Sequence, residues 1–212
     1  MMKKVLSIVL IAAFLLTGCA KKVDKYALKI LVPTGAPAVA TLPLSSAGYN
    51  VAYESTPANL QAALVNPSPE YDLVIAPVNV GVKLIQAGKT DYLLHSIVTW
   101  GNLYVMESSK ADAVNGLAVF GENAVPGLVY EAIKDQLNLD VPVTYYPAVS
   151  DAQTALLTGQ AKYALLASPL TAASISKAQS LGFTITQYAD VQTLWKTKYN
   201  VDSYPQAGLR IT

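Results

Sequence analysis

Short apolar runs recur along the chain, separated by stretches with helical spacing. Ten runs read as strands: Leu28–Val32, Asn50–Tyr53, Tyr71–Ala76, Tyr92–Val98, Leu103–Met106, Gly116–Phe120, Val143–Tyr146, Tyr163–Ala167, Phe183–Thr186 and Ala207–Ile211. Between them lie amphipathic patterns. Leu128, Val129, Ala132, Ile133 and Leu137 fall on one helical face, with Glu131, Lys134 and Asp135 opposite. Thr56-Pro57 reads as an N-cap followed by Pro at the first helical position. Ser150-Asp151-Ala152-Gln153 reads as a capping box, with Gly159 ending that helix. Strands alternating with helices predict an α/β fold with open, mostly parallel sheets.

The pattern repeats at an offset of 92 residues. Val51–Pro77 aligns without a gap on Val143–Pro169, with identities at eight of 27 positions that mark strand, helix, strand and a closing Pro. Any two β-α-β units share such features, so the match implies two similar α/β halves whatever its origin. Thr99-Trp100-Gly101-Asn102 breaks two apolar runs, and the stretch from Glu107 to Asn115 is polar. The expected organisation is a first lobe over 28–101, a second over 102–204, and a strand over 205–212 returning toward the first.

The N-terminus has its own pattern. Lys3-Lys4 precedes Val5–Leu16, apolar apart from Ser7. Twelve helical residues span about 18 Å, short of a hydrocarbon core of about 30 Å, so the run reads as a signal-peptide core and not a membrane anchor. Leu16-Thr17-Gly18-Cys19 follows directly, and Cys19 is the only Cys in the chain. This resembles the lipobox of bacterial lipoproteins, which implies a signal peptide over 1–18, a diacylglyceryl group on Cys19, and a lipidated tether over 19–27. Residues 20–27 beyond the lipidated Cys reach at most about 28 Å from the bilayer. Two or more acyl chains give stable anchoring where one is marginal.

Charge removes several function classes. Lys and Arg total 15 against 14 Asp and Glu, and charged residues make up 14% of the chain, which excludes nucleic-acid binding by net charge. One His, His95, and one Cys exclude a multi-His or Cys-cluster metal site. His95 sits inside an apolar run with no nucleophile-elbow pattern nearby, and no Gly-x-Gly-x-x-Gly or Walker loop is present. No carboxylate pair stands out: Glu54, Glu107 and Glu122 are scattered and read as surface charge. Arg210 is the single Arg, so an Arg clamp on an anion is not expected in either lobe. No catalytic residue, metal or cofactor is expected.

The remaining candidates are the strand-to-helix turns. Ligands in open α/β sheets sit at the carboxyl ends of strands, where helix N–H groups are free. These turns hold Thr34, Gly35, Thr56, Asn79, Gly121, Asn123, Tyr146 and Ser168, and the crossover adds Trp100 and Asn102. Gly35 and Gly121 allow close backbone approach. Trp100 and Tyr146 offer stacking faces. Taken singly, each reads equally as turn chemistry or a cap. Trp100 also reads as a core plug at the lobe junction.

Lys29-Ile30-Leu31-Val32-Pro33-Thr34-Gly35, Tyr71-Asp72-Leu73-Val74-Ile75-Ala76-Pro77, Val119-Phe120-Gly121 and Ala164-Leu165-Leu166-Ala167-Ser168-Pro169 together resemble the type 2 solute-binding lipoproteins of ABC importers, in the nitrate, sulfonate and thiamine-precursor group. Ser168 stands where relatives usually carry an acid. The resemblance implies a two-lobed type 2 periplasmic-binding-protein fold, a small-molecule ligand between the lobes, hinge closure, an ABC permease as partner and a monomeric, membrane-anchored protein. Enzymes of the same family carry a Cys-rich motif that this chain lacks, so the resemblance implies binding without catalysis. The donor set, without Arg, suits a small neutral or heteroaromatic solute. Relatives usually continue past the returning strand with helices that cover the first lobe. The alternative is therefore a truncated binding-fold lipoprotein acting as sensor or scaffold without transport.

Overall fold

The computed structural model describes residues 27–110 and 112–211. The leader, Cys19 and the tether through residue 26 lie outside the described residues. Among the described residues ten strands and seven α-helices alternate, except for three consecutive strands in mid-chain. The strands are β1 (Lys29–Pro33), β2 (Asn50–Glu54), β3 (Leu73–Pro77), β4 (Leu93–Trp100), β5 (Leu103–Ser108), β6 (Leu117–Phe120), β7 (Val143–Tyr146), β8 (Tyr163–Ala167), β9 (Ile185–Asp190) and β10 (Pro205–Ile211). The helices are α1 (Ala36–Ser46), α2 (Pro57–Val65), α3 (Val78–Gln86), α4 (Val125–Ile133), α5 (Val149–Thr158), α6 (Leu170–Ser180) and α7 (Val191–Tyr199).

The strands form two five-stranded sheets, ordered β2-β1-β3-β10-β4 and β7-β6-β8-β5-β9. Position by position the two orders correspond. In each, the first three strands are parallel and the fourth is antiparallel to its neighbours. The repeated segments are β2-α2-β3 and β7-α5-β8, which hold equivalent places in the two sheets. The fourth strand of each sheet arrives by crossing: β5 follows β4 from the first sheet, and β10 returns from the second.

Burial explains why the apolar runs were continuous. Ile30, Leu31 and Val32 of β1 and Val74, Ile75 and Ala76 of β3 are buried on both faces. Tyr163–Leu166 of β8 is buried throughout. In the first sheet, Leu31, Val74 and Ala76 pack under α2 and α3 with Leu60 and Leu64. Ile30, Val32, Ile75 and Ala207 pack on the opposite face with Ala38. The first sheet is less covered than the second. Val39 and Leu42 of α1 and Leu93 of β4 remain 53%, 53% and 65% exposed.

Two local expectations change. Helix α5 starts two residues earlier than the Ser150 box implied. Its N-cap is Ala148, whose N–H donates to Asp151 Oδ2 at 3.3 Å, so the carboxylate caps from N3 with no polar N-cap side chain. Gly159 does end this helix, at φ 84°. Trp100 is 54% exposed, so it is not a core plug.

Arg210 is fully buried in the first sheet, at the position on β10 that pairs with Val74 and Leu94. Its Nη2 donates to the Val78 carbonyl at 3.3 Å, while Nε and Nη1 have no partner. Burial lowers its pKa, with no opposing carboxylate. The guanidinium lies on Gly81 so closely that a Cβ there would collide with it, and a Cβ on Gly208 would come within 2.8 Å of Nη1. Gly81→Ala should therefore cost about 1–3 kcal/mol through overpacking. Arg210→Met, which removes a buried unpaired charge, should leave stability unchanged or raise it. Urea unfolding of both single variants and the double variant should show strong coupling, and additive effects would refute the shared-space account.

Candidate functional site at the strand ends

Helices α1 to α6 each begin at the carboxyl end of a parallel strand, so both sheets present their ligand-competent edges as rows of turns. These edges meet. Asn79, on the first turn of α3, donates from Nδ2 to the Asn123 carbonyl of the second sheet at 3.2 Å. Its Oδ1 is buried without a partner.

Beside this contact, Gly121, Glu122, Asn123, Ala124, Tyr145, Tyr146 and Pro147 line a pocket of about 440 Å³. The β6–α4 turn that forms one wall is shaped by Gly121, at φ 68°. Its N–H donates to the Tyr146 carbonyl at 2.9 Å, and its own carbonyl accepts from Ala124 and Gly127. Gly127 has no room for a Cβ, which would meet Glu122 backbone at 2.7 Å. The opposite wall is held by Tyr145, whose hydroxyl donates to Glu131 Oε1 at 2.6 Å. Burial, and then the Glu131 carboxylate, push that hydroxyl far above the usual phenol range, so it stays a neutral donor.

On the first sheet, Thr34 and Gly35 form the exposed β1–α1 turn, with Gly35 at φ 95° as N-cap. Thr56 is the N-cap of α2, as expected, but its hydroxyl makes no cap bond. Glu54 does the capping instead: Oε1 accepts from Thr56 N–H at 2.7 Å and Oε2 from Asn59 Nδ2 at 2.9 Å. The Asn59 bond first, and then the Thr56 bond, hold the Glu54 carboxyl below its ordinary pKa.

Asn102 and Ser168 sit at the crossover and are engaged by it. Asn102 adopts φ 73°; its N–H donates to Gln192 Oε1, and its Oδ1 accepts from Gln206 Nε2 at 3.0 Å. Its carbonyl accepts from Ser168 N–H at 3.2 Å. Ser168 Oγ lies 3.1 Å from Thr171 Oγ1. Gly101 precedes at φ 58°, packed against the Gln192 side chain, and donates to the Tyr204 carbonyl at 2.9 Å. One small knot of bonds thus ties β4–β5, the α7 start and the β10 start. Sequence reasoning did not find Gln192 and Gln206, nor Glu122 and Tyr145 of the pocket. Glu122, Tyr145 and Gln206 carried only the signal of lying at or next to predicted strand ends, and Gln192 carried none.

A larger hollow, about 690 Å³, lies at the far edge of the second sheet, lined by Glu107, Ser108, Lys110, Asn115, Lys162 and Thr186 among others. Its two lysines are already paired, Lys162 with Glu107 at 3.3 Å and Lys110 with Asp112. Among the described residues, no group of three or more His, Cys, Asp or Glu is placed to hold a metal ion. None of the described helices is long and apolar enough to cross a membrane.

No protein-family model matches the chain, and no curated protein matches it significantly. Solved structures do. An ABC transporter from Parabacteroides distasonis superposes with a TM-score of 0.71 at 20% identity, over 88% of this chain and 66% of that one. The fold is that of the periplasmic solute-binding proteins. The ligand-binding component of an ABC-type import system from Staphylococcus aureus, solved with zinc bound, gives a TM-score of 0.59 at 14% identity, over 87% and 65%. The alkanesulfonate-binding protein of Xanthomonas axonopodis pv. citri, bound to MOPS, gives 0.53 at 15%, over 87% and 65%. The chain therefore spans about two-thirds of the length of these binding proteins.

The knot at Asn102 gives a direct test. Asn102→Gly keeps the left-handed backbone while losing the side-chain bonds, whereas Asn102→Ala loses both. The Ala variant should be less stable than the Gly variant by about 1–2 kcal/mol in chemical unfolding. Equal stabilities would mean that the left-handed backbone is not what the position requires.

Proposed function

We propose that the protein is an extracytoplasmic solute-binding lipoprotein of an ABC importer, without enzymatic activity. It captures a small organic solute between its lobes and presents the closed form to a permease. The observation that carries this reading is the pair of facing strand-end rows, in contact at Asn79 and Asn123 with a pocket beside them. Thr34, Gly35, Thr56, Asn79, Gly121, Asn123 and Tyr146 are its ligand contacts. Trp100 closes the cleft from the crossover. Asn102 and Ser168 contribute at the hinge, where their bonds change as the lobes move. The lobes run over 28–101 and 102–204, with 205–212 returning to the first, and the protein acts as a monomer.

The reading predicts ligand-linked stabilisation. A solute at 100 times its dissociation constant should stabilise the fold by about 2.7 kcal/mol. A thermal-shift panel of pyrimidines, sulfonates, nitrate, amino acids and short peptides is the measurement. Trp100→Ala should weaken binding several-fold, since a stacked aromatic contributes about 0.5–1.5 kcal/mol beyond its area. Ligand-free stability should stay within about 0.5 kcal/mol, because the ring is 54% exposed. A destabilised Trp100→Ala variant with unchanged affinity would remove Trp100 from the site.

Attachment through lipid on Cys19 belongs to the same proposal. The protein should partition into detergent with a lipidated N-terminal Cys19, and Cys19→Ala should leave it soluble or unprocessed. Mass spectrometry of the mature N-terminus in the native host decides; a start elsewhere than Cys19 overturns the anchor. The sensor or scaffold reading draws on the exposed Val39, Leu42 and Leu93 of the first lobe. It gains if no solute shifts a correctly folded protein.

A further inference from the structure

The helix N-termini on the edge that faces the cleft are short of free backbone N–H groups. Helix N-termini ordinarily offer free N–H groups that attract anions. Here proline removes one from five of the seven helices that start there. Pro37 and Pro126 lie in the first turns of α1 and α4, and Pro57 opens α2. Pro77 and Pro169 are the N-caps of α3 and α6. Proline has no N–H but keeps its carbonyl. In α2 the neighbouring Thr56 N–H is also taken, by Glu54.

The charges point the same way. The turns at 34–35, 55–56, 78–79, 121–124, 147–148 and 168–169 contain no Lys, Arg or His. Arg210, the single Arg, is sealed beneath α3. Acids do occupy this edge. Glu54, Asp151 and Asp190 are engaged in capping α2, α5 and α7. Glu122 is different: it is exposed, makes no hydrogen bond or ion pair with the described residues, and lines the pocket with Tyr145 and Tyr146. Across the cleft, the buried Asn79 Oδ1 is an acceptor still lacking a donor.

We infer that the ligand carries a positively charged nitrogen, bound in this pocket with Glu122 as its counter-charge and the Tyr146 ring as a cation–π face. The inference rests on the cleft reading above and narrows it from a small organic solute to an organic cation. It also separates this chain from the sulfonate-binding protein with which it shares a fold.

The test uses the full-length protein in detergent and five probes: choline and 1,4-diaminobutane as cations, methanesulfonate and nitrate as anions, cytosine as a neutral ring. At equal millimolar concentrations a cation should raise the melting temperature, and the anions should not. Glu122→Gln should lower the cation's affinity tenfold or more without moving the ligand-free melting temperature. Glu122→Asp should retain part of the affinity and Glu122→Lys none. Affinity should also fall with added salt. A shift with anions or cytosine but no cation would overturn the cation assignment while leaving the cleft reading intact. Cation binding unaffected by Glu122→Gln would overturn the counter-charge. Silence across all five probes would count against both the assignment and the cleft reading.

Discussion

Two stretches of backbone pass between the sheets, and the structure depends on their being tied at one point. Asn102 does the tying, with its N–H on Gln192, its carbonyl on Ser168 and its side chain on Gln206. Gly101 adds the bond to Tyr204. Gln192, Tyr204 and Gln206 belong to the segment that leads back to the first sheet, and Ser168 to the end of β8. The two strand-end rows are held together by the two crossing stretches tied here and by the Asn79–Asn123 contact. A left-handed residue with three short-range polar partners is a compact way to make two passing strands turn together.

Around that knot the cleft is built from turns whose own bonds are largely satisfied. Glu54 closes the α2 start, Asp151 the α5 start and Asp190 the α7 start. Acidic caps favour the positive ends of helices and leave them less attractive to an incoming anion. In the pocket beside the Asn79–Asn123 contact, the Glu122 carboxylate is left without a partner among the described residues. A site is characterised as much by which of its groups are already engaged as by which residue types line it.

Much of the fold was legible in the sequence. All ten apolar runs overlap strands; the central ones β1, β3, β6 and β8 are short blocks buried in a sheet, while β2, β4, β7 and β9 are largely exposed or half-buried and are marked by their bounding turns. The α5 start was not, since Ala148 caps through its backbone and leaves no side-chain signal. The site was only half legible. Strand-end turns could be placed, but a string of letters does not reveal which small polar residues are engaged. Asn102 and Thr56 looked alike there, yet one is bonded through three groups and the other leaves its hydroxyl without a cap bond. Glu122 read as surface charge because its exposure is real; only the pocket around it gives it meaning. Arg210 was read only as too solitary to clamp an anion; its burial was not foreseen and is accommodated by two glycines, one of them more than a hundred residues away in sequence.

The exchanged fourth strands have a consequence for how the molecule is made. The second sheet has all its strands once residue 190 has been synthesised, because β5 precedes the others. The first sheet waits for β10, which inserts between β3 and β4, in the interior and not at an edge. Until then β3 and β4 are unpaired on the sides that will meet it, and the space that the Arg210 side chain occupies is open. The amino-terminal lobe is thus the last to be completed. In vectorial synthesis or export, the carboxyl-terminal lobe is the one able to consolidate first. Pairings that close over such long chain distances are slow ones, so the half of the protein that emerges earliest spends longest as an incomplete sheet.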